Sequence, residues 1–398
     1  MIDVRSRAFE HLHYFADTLG ERPAGSPANH QAEAYVRESF QSNGLAIEEV
    51  RVPFPDWSLN SAQLIHAGRS LALSANPFSP ACDVTAPTVA VSTLPELEAA
   101  NITGKIALLY GELSSRPIFP INFMPVRLDR DIAINKLLIE KAPAAVLAVN
   151  LHPTRHIDVI EDEDFPLSSA TIPVAEGNYL LQHVGETVHL RIDAESRDSH
   201  VTTLIGRTAG NPERRIVVSA HFDTKFNTPG AQDNGTGMAV LLTLAEMLAG
   251  RDLPIGLDFV AWSDEEFGAH SDTAYVERYR DQFPQMMCCI NMDGIGPRAE
   301  NTTLTMLAQS EAFEQQMHDI TTDYPAVVWV DPWYASNHYT YFANGVPALV
   351  LGSLTMDRTH QPDDTADWIS EAKLDEVTRL VLDIIMAIQD QSTDWTRA

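Results

Sequence analysis

The chain is short of cysteine, of basic residues and of long apolar runs, and each shortage excludes something. Its three cysteines are Cys82 and the adjacent pair Cys288 and Cys289. An odd, sparse count cannot form a disulfide framework, so a reducing, cytoplasmic setting is expected. Only 27 residues are Lys or Arg against 55 Asp or Glu, and the net charge of −28 argues against nucleic acid or anionic membrane as a partner. No uninterrupted apolar stretch approaches the ~18 residues of a membrane span. The start, from Met1 to His11, has no apolar segment behind a basic one, so no secretory leader is expected. What is present is a globular composition, 44% hydrophobic and 21% charged. At 398 residues the chain is too long for one ordinary core, and two domains are expected.

Phe9, Leu12, Phe15, Ala16 and Leu19 recur at helical spacing and predict an amphipathic helix over 4–19. Glu21 to Gly25 breaks it. Ser26-Pro27 then supplies an N-cap and a proline at the first helical position, opening a second helix that stops at Gly44. A strand from Leu45 to Phe54 follows. From about 53 to 197 prolines recur, helices are few, and short apolar runs such as Lys105–Tyr110 and Ala144–Val149 are bounded by turn residues. Ile132 to Lys141 reads as a short helix, while Ala170–Val174 and Val188–Ile192 read as extended. This stretch is expected to be an inserted, strand-rich domain that shapes access to a site built elsewhere. His152 and His156 are poor ligand candidates because Pro153 opposes a helix presenting both. The acidic run Glu161–Asp164 reads as a solvated loop, with a cation site as the minor alternative.

After Val201 strands and helices alternate. Ile216–Ala220, Ile255–Trp262, Met287–Met292 and Val346–Leu351 are apolar strands, and Met238–Leu248 is an apolar helix. That pattern implies an α/β sheet covered by helices on both faces, with functional residues in loops beyond the strand ends. Cys288 and Cys289 fall inside one of these strands and are expected to be buried packing.

Five segments with histidines or carboxylates stand at those boundaries. They are His221-Phe-Asp223, the run from Gly230 through Asp233-Asn234 to Gly237, Asp264-Glu-Glu-Phe-Gly268, Asn291-Met-Asp-Gly294, and Thr359–Thr365 with its His360. Singly they are weak signals. Together they match the needs of two neighbouring divalent ions, which take imidazole nitrogen and carboxylate oxygen and keep a position open for water. Two histidines and three carboxylates let each ion hold one His and one private carboxylate, with one carboxylate shared. A further carboxylate is needed as a base that is not a ligand, and only one of the adjacent Glu265 and Glu266 can comfortably face the ions.

This set resembles the M28 family of metallopeptidases, which includes bacterial dizinc aminopeptidases. The resemblance rests on His-x-Asp, Gly-Ala-x-Asp-Asn-x-x-Gly, Glu-Glu-x-Gly, an Asp after a strand and a late His-x-Pro-x-Asp-Thr, with Ala24-Gly-Ser-Pro27 near the start. It implies a zinc exopeptidase-like fold, a mixed β-sheet covered on both faces. Residues 1–52 and 198–398 would form the metallopeptidase domain, and 53–197 an inserted domain that resembles a protease-associated domain. It also implies two Zn²⁺, one held by His221 and Asp293, the other by Glu266 and His360, with Asp233 bridging. Glu265 would be the general base, Asp223 would orient His221, and a peptide would be the substrate. One departure is Ser336-Asn337-His338, where the family often has Ser-Asp-His. Asn337 is expected to cap the next helix without carrying charge, and His338 is a candidate substrate or oxyanion contact. His270 and His318 read as ordinary helix or loop histidines.

The M20 dizinc peptidases share the ligand logic, but they carry a lid domain between the Glu-Glu pair and the last histidine. Here the sheet consumes most of that stretch, and the insertion precedes His221. A single-zinc glutaminyl cyclase would not use all five ligands, and a receptor-like binding protein on a dead peptidase fold would have lost some. An aminopeptidase is expected over a carboxypeptidase or dipeptidase. Lys225, Arg298 and Arg358 are the cations near the motifs that could hold a substrate carboxylate.

Overall fold

A computed structural model describes residues 4–122 and 128–398. The chain divides into two compact units, Met1–Phe54 with His200–Ala398, and Pro55–Ser199. Among the described residues, no helix is long and apolar enough to cross a membrane.

The first unit is built on six strands, β1 (Arg215–His221), β2 (Gly256–Trp262), β3 (Met286–Met292), β4 (Thr302–Leu307), β5 (Val327–Trp329) and β6 (Ala348–Ser353). Their order across the sheet is β5-β4-β6-β3-β1-β2. β2, β1, β3 and β6 run parallel, so their C-terminal ends share one edge. β4 is antiparallel to β6, and Leu204–Arg207 adds an antiparallel stretch beside β2. The sheet is therefore mixed. β6 starts at Ala348, two residues after the expected Val346, because Pro347 has no N–H to donate; its carbonyl instead accepts from Cys289 N.

The two-residue period of the strands sorts the core. Ile216, Val218, Phe259, Ile290 and Leu351 point to one face, where they pack with α1 (Val4–His13), α2 (Pro27–Ser42), α3 (Thr236–Leu248) and α5 (Glu371–Ile388). Val217, Val260, Trp262 and Val350 point to the other, against α4 (His270–Tyr279), Phe283 and Tyr341. Cys288 belongs to the first face and Cys289 to the second. Burial pushes the Cys288 thiol up to about 12 and the Cys289 thiol well above its ordinary range, so neither is a reactive thiolate.

Ser26 caps α2 as expected, its hydroxyl accepting from Asn29 N, with Pro27 at the first helical position. The helix expected over 4–19 is α-helical only to His13. It continues as a π-helical segment, Tyr14–Leu19, and ends at Gly20 with φ 65°. The strand expected over 45–54 is part of a longer one, Ala46–His66.

The second unit contains four parallel strands, Cys82–Val91, Ile106–Leu109, Ala145–Asn150 and Ser169–Pro173, in that spatial order. Ile134 and Leu138 of the helix Asp129–Lys141 pack against Ala107, Leu109, Val146 and Ala148. The run 161–164 is not a purely solvated loop. Asp162 is buried, and its carboxylate accepts from the backbone N–H groups of Ile121 and Asp164. Burial pushes its pKa up to about 6. Its carboxylate lies close to those of Glu163 and Asp164 without any histidine.

Candidate metal centre

Parallel strands put four of the five segments on one sheet edge. His221 is the last residue of β1, Glu265 and Glu266 follow β2, Asp293 follows β3, and His360 comes after β6. Asp233 enters on the segment Ala231–Gly235 that leads into α3.

The side chains meet as two triads. His221, Asp233 and Asp293 bring one ligand atom each within 4.8 Å of one another, and Asp233, Glu266 and His360 do the same. Asp233 is common to both. Its Oδ1 lies 3.2 Å from His221 Nε2, and its Oδ2 lies 3.0 Å from His360 Nε2. Asp293 Oδ1 is 3.5 Å from His221 Nε2, and Glu266 Oε2 is 3.2 Å from His360 Nε2. Glu265 belongs to neither triad.

Charge dominates the electrostatics. Burial alone lowers the His221 pKa, yet Asp293, Asp223 and Asp233 outweigh it and hold it well above the ordinary histidine range. His360 is raised as well, the pull of Glu266 and Asp233 outweighing the desolvation of its ring. Burial raises Asp233, but its close pairing with both histidines wins and the carboxyl falls far below its usual range. Glu265 goes the other way: desolvation, helped by Asp293, Glu266 and Asp223 against His221, lifts it well above the carboxylate range. Both ring nitrogens of His221, with Glu266 Oε1 and Asp293 Oδ1, are buried without a hydrogen bond of acceptable geometry. Buried polar atoms in this state are costly unless something coordinates them. Two imidazoles and three carboxylates around such orphaned atoms are the donor set a pair of divalent cations uses.

Outer contacts fix these ligands. Asp223 Oδ1 faces His221 Nδ1 at 3.3 Å and accepts from Glu265 N at 3.1 Å, while its Oδ2 accepts from Glu266 N at 3.0 Å. Asn234 donates to Met292 O, and its Oδ1 accepts from Gly237 N. A Cβ at Gly237 would stand 2.3 Å from that Oδ1 and 2.4 Å from Met292 O, so only glycine fits. His360 adopts φ 61°, a left-handed conformation that histidine tolerates better than most residues.

Two residues of this outer layer carry no role in the sequence reading. Asp364 accepts from Gln232 N and Asp233 N, steadying the residue common to both triads. Burial pushes its pKa up to about 7. Arg22 is wholly buried, and its guanidinium donates to the carbonyls of Phe15, Gly20, Phe222, Pro229 and Gly230. Burial lowers its pKa to about 10. It ties the end of β1 to the loop before Asp233. The only sequence signals were Asp364 inside the late motif and a charged residue beside the Pro23 helix break.

The residues around Ser336 differ from expectation. Asn337 makes no capping bond; its amide donates to both carboxylate oxygens of Asp272 at 3.1 Å. Burial pushes Asp272 up to about 6. His338 Nε2 pairs with Trp333 O, a carbonyl that can only accept, so Nε2 carries the hydrogen. Burial lowers the His338 pKa, which leaves Nδ1, buried and without a hydrogen bond, as a bare acceptor. An oxyanion contact needs a free donor, and the hydrogen of this ring is already given to Trp333 O. His270 packs on Phe54 and His318 on Trp329, and neither joins a triad. His152 and His156 join none either. His152 Nδ1 accepts from Thr154 N and Arg155 N, and His156 pairs with Asp158.

Residues 203–385 match the family model for peptidase family M28. An aminopeptidase of Pseudomonas aeruginosa (strain UCBPP-PA14) is 33% identical over 112 residues, which is 27% of this chain and 21% of that protein. Carboxypeptidase Q of Xenopus laevis is 24% identical over 304 residues, covering 70% of this chain and 62% of that one. The match thus spans about a fifth of the length of the first relative and less than two thirds of the second. In fold, the chain is similar to a zinc aminopeptidase from Bacillus subtilis, with a TM-score of 0.79 at 20% identity over 99% of this chain and 98% of that one.

Proposed function

We propose, from the match of residues 203–385 to the peptidase family M28 model and from two candidate ligand triads that share one carboxylate, that the protein is a dimetal exopeptidase, most simply a zinc aminopeptidase. The observation that carries this reading is Asp233, whose two oxygens face two different histidines. A carboxylate held so is the bridge that makes two closely spaced cations tolerable. In this reading His221 and Asp293 hold one ion, Glu266 and His360 the other. Mixed nitrogen and oxygen donors suit zinc.

When bound, the ions supply Lewis acidity and acidify a water nucleophile. The chain's own groups do the rest. Glu265, raised in pKa and outside both triads, accepts the proton of the attacking water and returns it to the leaving amine. Asp223 fixes the His221 ring and the Glu265–Glu266 backbone together. Asp364 holds the Asp233 segment in place. The aminopeptidase is preferred because a free α-amine needs a carboxylate near the ions, and Glu265 stands there outside both triads. Residues 53–197 are proposed as a protease-associated-like insertion; all five ligands come from the other unit. A cytoplasmic setting is supported by three unpaired cysteines.

One observation favours a second reading. Lys225 lies beside Glu266, and the chain is similar to a carboxypeptidase Q, so removal of C-terminal residues is the alternative. A panel of free and N-acetylated peptides, with zinc counted per chain by elemental analysis, separates the two. Hydrolysis of free peptides only, with about two zinc ions bound, is the expected result. Hydrolysis of the acetylated peptides from the C-terminus would establish the alternative.

A further inference from the structure

Three cations stand near the motifs, and the structure separates them. Arg298 donates to the carbonyls of Asp367 and Ile369. Arg358 stacks on Trp368 and faces Asp363. Lys225 alone of the three lies against a candidate ligand. Its Nζ donates to the backbone carbonyl of Glu266 and stands 4.0 Å from Glu266 Oε2. The ammonium also sits 4.4 Å from the centre of the Phe267 ring, which packs on Phe226.

This is the open side of the centre. The His360 side chain is 41% exposed, whereas His221 is 1% exposed. Beside Glu266, 16% of the Lys225 side chain is exposed. The carbonyl and ring contacts hold the ammonium in place, so it meets the substrate as a positioned charge and not a swinging one. A fixed cation in a partly desolvated site repels a neighbouring ammonium and attracts a carboxylate. Successive residues of a peptide are only about 3.8 Å apart, so a carboxylate one residue from the cleaved bond falls within reach.

We propose that Lys225 is a specificity determinant, selecting peptides that carry a carboxylate on the residue just past the cleaved bond. The inference rests on the exopeptidase reading above. The carboxylate has two sources, the free C-terminus of a dipeptide or an acidic side chain, and the assay separates them.

The experiment compares the zinc-loaded protein with Lys225→Met and Lys225→Arg on Leu-Gly against Leu-Gly-amide, and on Leu-Glu-amide against Leu-Gln-amide. The wild type should prefer the carboxylate in at least one pair by about tenfold in kcat/KM, a preference expressed in KM. Lys225→Met should bring that ratio towards one with zinc content unchanged, and Lys225→Arg should keep most of it. A preference in the first pair identifies the C-terminal carboxylate, and one in the second pair the side chain. An unchanged ratio in Lys225→Met, or a wild type that cleaves all four peptides without preference, overturns the proposal and leaves the exopeptidase reading standing. Loss of zinc and of all activity in both variants makes Lys225 a scaffold residue, which also overturns it. A zinc-loaded wild type that cleaves none of the four defeats the exopeptidase reading and this inference with it.

Discussion

Asp223 joins His221 to Glu266: one oxygen faces the imidazole Nδ1 at 3.3 Å, and the other accepts the Glu266 N–H at 3.0 Å. A single buried carboxylate therefore sets the relative position of a candidate ligand on β1 and a candidate ligand after β2. Asp223→Asn should keep the fold but lose one acceptor, and the amide would turn a donor towards an N–H. Activity should fall by about 10- to 100-fold, with weaker zinc binding. Steady-state kinetics and zinc competition against a chromogenic chelator check both. Unaltered kinetics would remove Asp223 from the machinery.

Glu265 is outside both triads, whereas Glu266 is inside one. Glu265→Gln should therefore retain both metal ions while kcat falls by about 100-fold or more. Elemental analysis beside kcat is the check. A variant that loses one metal and keeps its activity would mean that the two glutamates have exchanged roles.

Gly237 has no room for a side chain, since a Cβ would press on Asn234 Oδ1 and Met292 O. Gly237→Ala should lower Tm by several degrees, about 1–3 kcal/mol. It should also weaken metal binding, because the displaced Asn234 neighbours Asp233. Calorimetry with and without zinc reads both effects.

Buried carboxyls give the metal-free protein a pH signature. Asp264 is raised to about 7 by burial and by Asp272, Asp272 to about 6 and Asp364 to about 7 by burial. Each folded pKa lies above its unfolded value near 3.8, so the folded state binds more protons. Their contribution is fully present below about pH 4 and is lost as pH rises through 6 and 7. His221 and His360, also raised, act in the same direction above the ordinary histidine range. Metal-free protein should thus melt higher at pH 5.5 than at pH 8, and Asp272→Asn should flatten the slope. A Tm that climbs with pH would contradict these assignments.

Much of this was legible in the sequence because apolar strands ending in His, Asp or Glu mark the ligand edge directly. His221 and Asp293 needed only the strand boundary to be placed, whereas choosing Glu266 over its neighbour Glu265 needed the family resemblance. The bridging pattern needed the family resemblance, since spacing alone does not say which carboxylate is shared. Arg22 was not legible: its partners are backbone carbonyls at Phe222, Pro229 and Gly230, roughly 200 residues away, and carbonyls leave no residue-type signature. Asn337 misled for a related reason. Asparagine before a helix suggests a cap, yet here a distant carboxylate, Asp272, outcompetes the local N–H groups. The π-helical turn at Tyr14–Leu19 likewise has the same apolar spacing as an α-helix and could not be told from one.

Asp233 belongs to both triads, whereas His360 belongs to one. Calorimetric metal titration of Asp233→Asn and His360→Ala tests whether metal binding follows that division. Asp233 touches both triads, so Asp233→Asn should weaken both ions and nearly abolish activity. His360→Ala should empty mainly the Glu266 position and leave the His221–Asp293 ion partly bound. An Asp233→Asn protein that still binds two ions tightly, beside a His360→Ala protein that binds none, would contradict the bridging assignment.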